Sequence, residues 1–211
     1  MDRLLLAPAE RAELLVDLSD MTGESIELKS YGSTLPQSAY GIAGLSTMQA
    51  VAPSGYNSNE LNGNDFILLG INVGAQTDNP ILTIPSLLVD VTPIDESEAT
   101  LTRNLQITAP NMMQNSITGP FVFDGQSFDM NVINQTVQLG DTEIWEIFNM
   151  SMVAHPFHIH DVQFYILDRN GVIPPENERG RKDVVLVKNM ETVRFIAKFE
   201  DHADDEVPYM Y

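Results

Sequence analysis

The sequence predicts an all-β protein in two parts, a leading unit and a larger trailing one, joined by a proline-broken linker. Short runs of β-branched and aromatic residues recur with turn residues between them, and no segment shows a convincing amphipathic helix. The chain has 211 residues, 43% hydrophobic and 19% charged, a balance that places it among globular proteins and outside the disordered class. At this length a chain buries roughly 70% of the surface it exposes when unfolded.

The leading part covers residues 1–75. Residues 4–17 carry apolar runs at both ends with Pro8-Ala9-Glu10-Arg11 between them, and read as strands joined by a turn. Asp20 to Gly23 is a turn, and Ile26 and Leu28 alternate as in a strand. From Gln37 to Asn64 a polar stretch rich in Gly, Ser and Asn keeps neither strand nor helix period, as expected of a long loop or irregular excursion. Phe66-Ile67-Leu68-Leu69-Gly70-Ile71-Asn72-Val73 fits a pleated surface. Asp78-Asn79-Pro80, Pro85 and Pro93 then break regular structure and place the linker at residues 76–96.

The trailing part, residues 97–211, is more regular. Leu101, Arg103, Leu105 and Ile107 alternate with polar neighbours. Asp124-Gly125 is a turn between Phe121-Val122-Phe123 and a segment running through Phe128 and Met130. Gly140-Asp141 precedes a strand at Ile144-Trp145-Glu146-Ile147. Phe164-Tyr165-Ile166-Leu167 leads to the turn Asn170-Gly171, and Val184-Val185-Leu186-Val187 and Val193-Arg194-Phe195-Ile196 supply two more strands. About seven short strands at this spacing make an antiparallel β-sandwich or barrel, with Trp145 and Phe128 expected in its core.

Charge narrows the function. Eleven Lys and Arg against thirty Asp and Glu leave a net charge of −19, a field that repels phosphate backbones and anionic lipid and so argues against nucleic-acid binding. The chain has no cysteine, which removes disulfides, thiolate metal sites and Cys nucleophiles within it. No apolar stretch approaches the roughly 18 residues of a membrane span, and the first six residues are too short for a signal peptide, so the chain reads as soluble.

The chemistry concentrates in Met152-Val153-Ala154-His155-Pro156-Phe157-His158-Ile159-His160, where three of the four histidines fall within six positions. Imidazole is the commonest neutral ligand for copper, zinc, iron and nickel. On a strand, His158 and His160 project from one face and can converge on one metal or on two neighbours, whereas His155 has the opposite parity. One segment can thus serve two separate sites. A lone histidine in a β-rich domain is better read as a satisfied polar group, but three at this spacing point to metal. Met150 and Met152 read as core packing rather than thioether ligands. His202 lies in a solvated acidic loop, residues 200–206, and Asp161 either orients an imidazole or faces water. A cupin would need a glutamate where this chain has Phe164 and a glycine where it has Met152.

The segment from Asn149 to His160 resembles the domain-three motif of the multicopper oxidases, the family of laccases, bilirubin oxidases and cuprous oxidases. Phe128-Asp129-Met130, Gly140 to Ile147, Gln163-Phe164, Leu167 to Gly171, Lys182-Asp183 and Val193-Arg194-Phe195 fall in the order of its third domain, and Leu4 to Asp17 resembles the close of its second, with Ala9 in a glycine place. The resemblance implies a Greek-key, cupredoxin-like β-sandwich in each part. It assigns His155 to a type 1 copper, His158 to a type 2 copper and His160 to one of the paired type 3 coppers. It also implies one-electron oxidation of phenols, pigments or metal ions at type 1 copper, coupled to reduction of dioxygen to water at the trinuclear cluster.

The family's remaining ligands lie on a His-Cys-His strand that begins just after a segment resembling Pro208-Tyr209-Met210-Tyr211. The chain is therefore expected to be a fragment, inactive alone, with an unpaired sheet edge and with the rest of its own polypeptide as its partner. Any export signal would lie upstream. A different class of function, a copper-free cupredoxin-like scaffold of the cell envelope, is the alternative, and the retained His155, His158 and His160 argue against it. A copper-sequestering module would need more Met or His than the chain has.

Overall fold

The computed structural model describes residues 3–34, 64–109, 120–151, 153–204 and 206–211. The strands among them are β1 (Ser25–Tyr31), β2 (Asp65–Asn72), β3 (Leu101–Thr108), β4 (Val122–Phe123), β5 (Thr142–Asn149), β6 (His155–His158), β7 (Phe164–Arg169), β8 (Val184–Val187) and β9 (Thr192–Lys198). The expected excursion between Gln37 and Asn64 lies, but for its last residue, outside the described residues, as does Met152. No helix among the described residues is long and apolar enough to cross a membrane.

β1 and β2 pair antiparallel, with a register shift between Leu28 and Lys29. The trailing part holds a five-stranded sheet in the order β4-β3-β5-β9-β7 and a two-stranded sheet of β6 and β8. One apolar layer lies between the two sheets: Leu105 and Ile107 from β3, Trp145 and Ile147 from β5, Phe157 and Ile159 from β6 and the residue run after it, Val185 and Val187 from β8, and Phe195 from β9. Alternation sends Ile144, Tyr165 and Ile196 to the reverse face of the larger sheet, where Ile94 and Ala99 cover them. β8 is covered by the core on one face and by Ala7 on the other, which explains why it reads as a continuous apolar run.

The antiparallel expectation fails at one pair. β3 and β5 run parallel, in register from Leu101 opposite Glu143 to Ile107 opposite Asn149. A long connection that includes β4 carries the chain back to the end of the sheet where β3 began, which a parallel neighbour requires.

Two turns match the sequence expectation. Asp124 and Gly125 have φ of 49° and 78°, and Asn170 and Gly171 have 52° and 75°. Two successive positive φ values make a type I′ turn, whose twist suits a hairpin and which Asn-Gly and Asp-Gly favour. Beyond Gln126, however, no strand follows. Asp129 accepts hydrogen bonds from the Asn131 backbone N–H and side chain at 2.9 and 3.0 Å, which turns the chain away from the sheet edge. Phe128, expected in the core, is accordingly 70% exposed, whereas Trp145 is 1% exposed.

Residues 4–17 form no strand among the described residues, contrary to expectation. An apolar run becomes a strand only where its backbone groups meet a ladder, and none is offered here. The segment instead makes a tight turn in which the Glu10 N–H donates to the Ala7 carbonyl at 3.0 Å, with Pro8 second and Ala9 third at φ 66°. That positive φ explains why the resemblance puts glycine at Ala9. Ala7 is buried against Val184 and Leu186 on the outer face of β8, Glu10 is ion-paired to Lys182, and Arg11 reaches Asp183 at 2.9 Å.

A buried ion pair ties three segments of the sandwich. The Arg103 guanidinium makes two hydrogen bonds to Glu143, at 2.5 and 2.8 Å, and donates to the Gln135 side chain at 2.8 Å and to the Thr136 carbonyl. Trp145 Nε1 donates to the same carboxylate at 2.9 Å.

Candidate metal centre

The chain leaves β5 at Asn149, whose fully buried amide folds the next residues back on themselves. Asn149 Nδ2 donates to the Val153 and Val187 carbonyls at 2.8 and 2.9 Å, and its Oδ1 accepts from the Ser151 N–H at 2.9 Å. The chain re-enters as β6, which pairs with β8 from His155 opposite Val187 to His158 opposite Val184. Pro156 is tolerated because β6 belongs to a two-stranded sheet and the proline is exposed.

Alternation along this ribbon decides where each imidazole goes. Phe157 and Ile159 enter the core between the sheets. His158 and His160 therefore share the other side, and their ring centroids lie 4.9 Å apart at 50°. His160 sits just past the end of β6, exposed, with its N–H bound to the Met210 carbonyl at 3.1 Å. His155 has the parity of Phe157. Its ring is half-buried, meets the edge of Phe121 at 4.4 Å, and places Nε2 at 2.7 Å from the Ser151 hydroxyl. The three rings thus point two ways, one on one side and two on the other, as the parity of the sequence requires.

The protonation states suit metal donors. His158 Nδ1 lies 2.7 Å from the Asp183 carbonyl, which only accepts, so Nδ1 carries the proton and the Nε2 lone pair is uncommitted. Burial lowers the His155 pKa from its ordinary value to about 4, so its imidazole is neutral at neutral pH, as a ligand must be. The same Lys182-Asp183 step that orients His158 is gripped from the other side by Glu10 and Arg11.

Beside His160 opens a cavity of about 990 Å³, walled by Phe121, Ile159, Tyr209 and Tyr211 among others. Among the described residues no three His, Asp or Glu side chains converge on one point. His202 is exposed, with its ring 6.1 Å from that of Tyr209. Met150 is half-buried and its sulfur accepts from Gln106 Nε2 at 3.6 Å, consistent with packing. Asp161 adopts φ 62°, a turn conformation, and is exposed. The supporting groups that sequence reasoning passed over are Asn149, Ser151 and the Asp183 carbonyl. The backbone acceptor has no sequence signature, and the polar pair is visible only as two polar residues between a strand and a histidine.

A family model described as "Multicopper oxidase" matches residues 96–211. A laccase of Haloferax volcanii is 32% identical over 205 residues, covering 96% of this chain and 31% of the relative. The cell division protein FtsP of Photorhabdus laumondii is 30% identical over 212 residues, covering 100% of this chain and 38% of that protein. Among solved structures, the bacterial laccase-like multi-copper oxidase CueO of Ochrobactrum sp. superposes with a TM-score of 0.62 at 25% identity, covering 89% of this chain and 37% of that one. The chain therefore spans about a third of the length of the relatives it matches. A cupredoxin-like sandwich, a histidine ribbon facing two ways and a family match across the whole trailing part together make this chain a member of the multicopper oxidases.

Proposed function

We propose that the protein of which this chain forms part oxidises a small-molecule or metal-ion reductant one electron at a time and passes the electrons to dioxygen. Phenols, pigments and cuprous or other metal ions are the reductant classes. Residues 1–75 form the closing part of a second cupredoxin-like domain, residues 76–96 a linker, and residues 97–211 most of a third domain. In this reading His155 holds a type 1 copper, His158 a type 2 copper and His160 one copper of a type 3 pair. The observation that carries it is the divergence of His155 from the His158 and His160 pair within one short ribbon.

Copper, when bound, supplies one-electron redox chemistry and dioxygen reduction; the protein supplies donors, orientation and exclusion of water. His155 contributes a neutral donor in a half-buried, aromatic setting. His158 contributes Nε2, held in direction by the Asp183 carbonyl. The covalent ribbon between them, Pro156-Phe157, is locked by Phe157 in the core, so the spacing of the two sites is fixed by packing rather than by a mobile loop. The remaining donors come from other parts of the polypeptide, and this chain alone is expected not to turn over.

The test is dioxygen uptake by the copper-loaded complete protein with a phenolic and a cuprous reductant. Uptake with four electrons consumed per dioxygen and no hydrogen peroxide is expected; no uptake, or peroxide as the product, contradicts the reading. A second reading, a copper-free scaffold in cell division, is favoured by the likeness to FtsP over the entire chain. A full-length protein that folds but neither retains copper nor consumes dioxygen would move the assignment there.

A further inference from the structure

We infer that Glu10, in the leading part of the chain, is a positioning residue for His158: by anchoring Lys182 it fixes the backbone step whose next carbonyl, that of Asp183, directs the His158 ring. The inference rests on the reading of His158 as a metal ligand and adds that a residue outside the trailing part aims it.

Glu10 uses both of its carboxylate oxygens. One accepts from the Ala7 N–H at 2.8 Å, and the other is ion-paired to the Lys182 ammonium. The two side chains are 9% and 12% exposed, so the pair has given up most of its water and removal of either partner leaves the other uncompensated. The turn that carries Glu10 is itself fixed, because the Glu10 N–H donates to the Ala7 carbonyl at 3.0 Å and Ala7 is buried against Val184 and Leu186 of β8. Lys182 is also held through its backbone, which exchanges hydrogen bonds of 2.7 and 2.9 Å with Phe164 at the start of β7. The next carbonyl along, that of Asp183, lies 2.7 Å from His158 Nδ1. Its ladder bond from the Ile159 N–H is long, at 3.4 Å, so strand pairing alone holds this carbonyl loosely and the anchor one residue earlier decides where it points. The neighbouring Arg11 to Asp183 ion pair is a weaker tie, since Arg11 is 67% exposed and its charge is screened by water. Without the Glu10 carboxylate the Lys182 ammonium moves out toward water, the backbone at residues 182 and 183 follows, and the imidazole loses its fixed acceptor.

The test uses the metal-free complete protein labelled with ¹⁵N at histidine, near neutral pH, with the His158 and His155 signals assigned by their loss in His158→Gln and His155→Gln. In the wild type, His158 is expected to carry its proton on Nδ1 as a single form. In Glu10→Ala and in Lys182→Ala the His158 ring proton is expected to exchange with water about tenfold faster, with a second, Nε2-protonated population appearing, while the His155 signals stay as in the wild type. The double variant is expected to show no more than either single one, because both act through one anchor. A His158 ring unchanged in Glu10→Ala overturns the inference. So do His158 and His155 signals that change together, since a general loosening of the fold moves both. If Glu10→Ala does not fold, Glu10→Asp, a methylene too short to reach Lys182 and the Ala7 N–H at once, replaces it with the same two outcomes. Copper titration of the wild-type sample tests the ligand reading separately. Copper-induced broadening at His158 Nε2 supports that reading, whereas the expected variant effects with no copper response at His158 contradict it and leave the positioning of the ring by Glu10 standing.

Discussion

Glu143→Ala is expected to destabilise the sandwich by about 3–5 kcal/mol, the largest effect of any single change on the charged network. Glu143 is 1% exposed and faces Arg103 through two hydrogen bonds, while also accepting from Trp145 Nε1. Removing the carboxylate leaves the half-buried guanidinium without its counter-charge and strands the buried indole N–H. Taking one member from a buried pair costs far more than the pair is worth, because the orphaned charge keeps its desolvation penalty. The double replacement Arg103→Met with Glu143→Leu is therefore expected to recover at least half of the loss. Urea unfolding checks both, with the midpoint moving at constant slope. An unchanged midpoint in Glu143→Ala would show that the network is not formed in solution.

Asn149→Ala is expected to cost about 3 kcal/mol, since it removes the partner of the Ser151 N–H and the amide donor to the Val187 carbonyl, at roughly 1–3 kcal/mol per group before relaxation, and leaves the Val153 carbonyl with the Ser151 hydroxyl alone. This change also reaches the proposed copper ligands. The Asn149 amide shapes the loop that carries Ser151 and sets the entry of β6, so copper retention is expected to fall together with stability. Asn149→Asp should not rescue it, because a carboxylate has no N–H to offer two carbonyls. Retained copper with lowered stability would separate the loop from the site.

Much of this architecture is legible in the chain because strand signals and turn chemistry agree. Val184 to Val187 and the Asn170-Gly171 turn need no tertiary context: a β-branched run and a residue pair that tolerates two positive φ values specify themselves. The two-way histidine ribbon is legible for the same reason, since alternation is a property of any extended chain. Residues 4–17 mislead because a short apolar run marks the capacity to pair, and whether a ladder is available is decided elsewhere. Phe128 misleads because a bulky aromatic beside a hairpin turn is core only if the strand continues, and Asp129 stops it. The parallel pairing of β3 with β5 is set by the long connection between them, whose path no local pattern encodes. The groups that steer the imidazoles are one backbone carbonyl and one hydroxyl, neither of which stands out by residue type.

The central claim is that a single ribbon serves two different copper environments, His155 on one side and His158 with His160 on the other. The most direct measurement is copper content and visible absorption of the complete protein in three variants, His155→Gln, His158→Gln and His160→Gln. The intense band of a copper–thiolate bond is expected to vanish in His155→Gln alone, while His158→Gln and His160→Gln keep that band and lose copper together with dioxygen reduction. Three variants that behave alike, whether by all losing the band or by all retaining full copper, would contradict it.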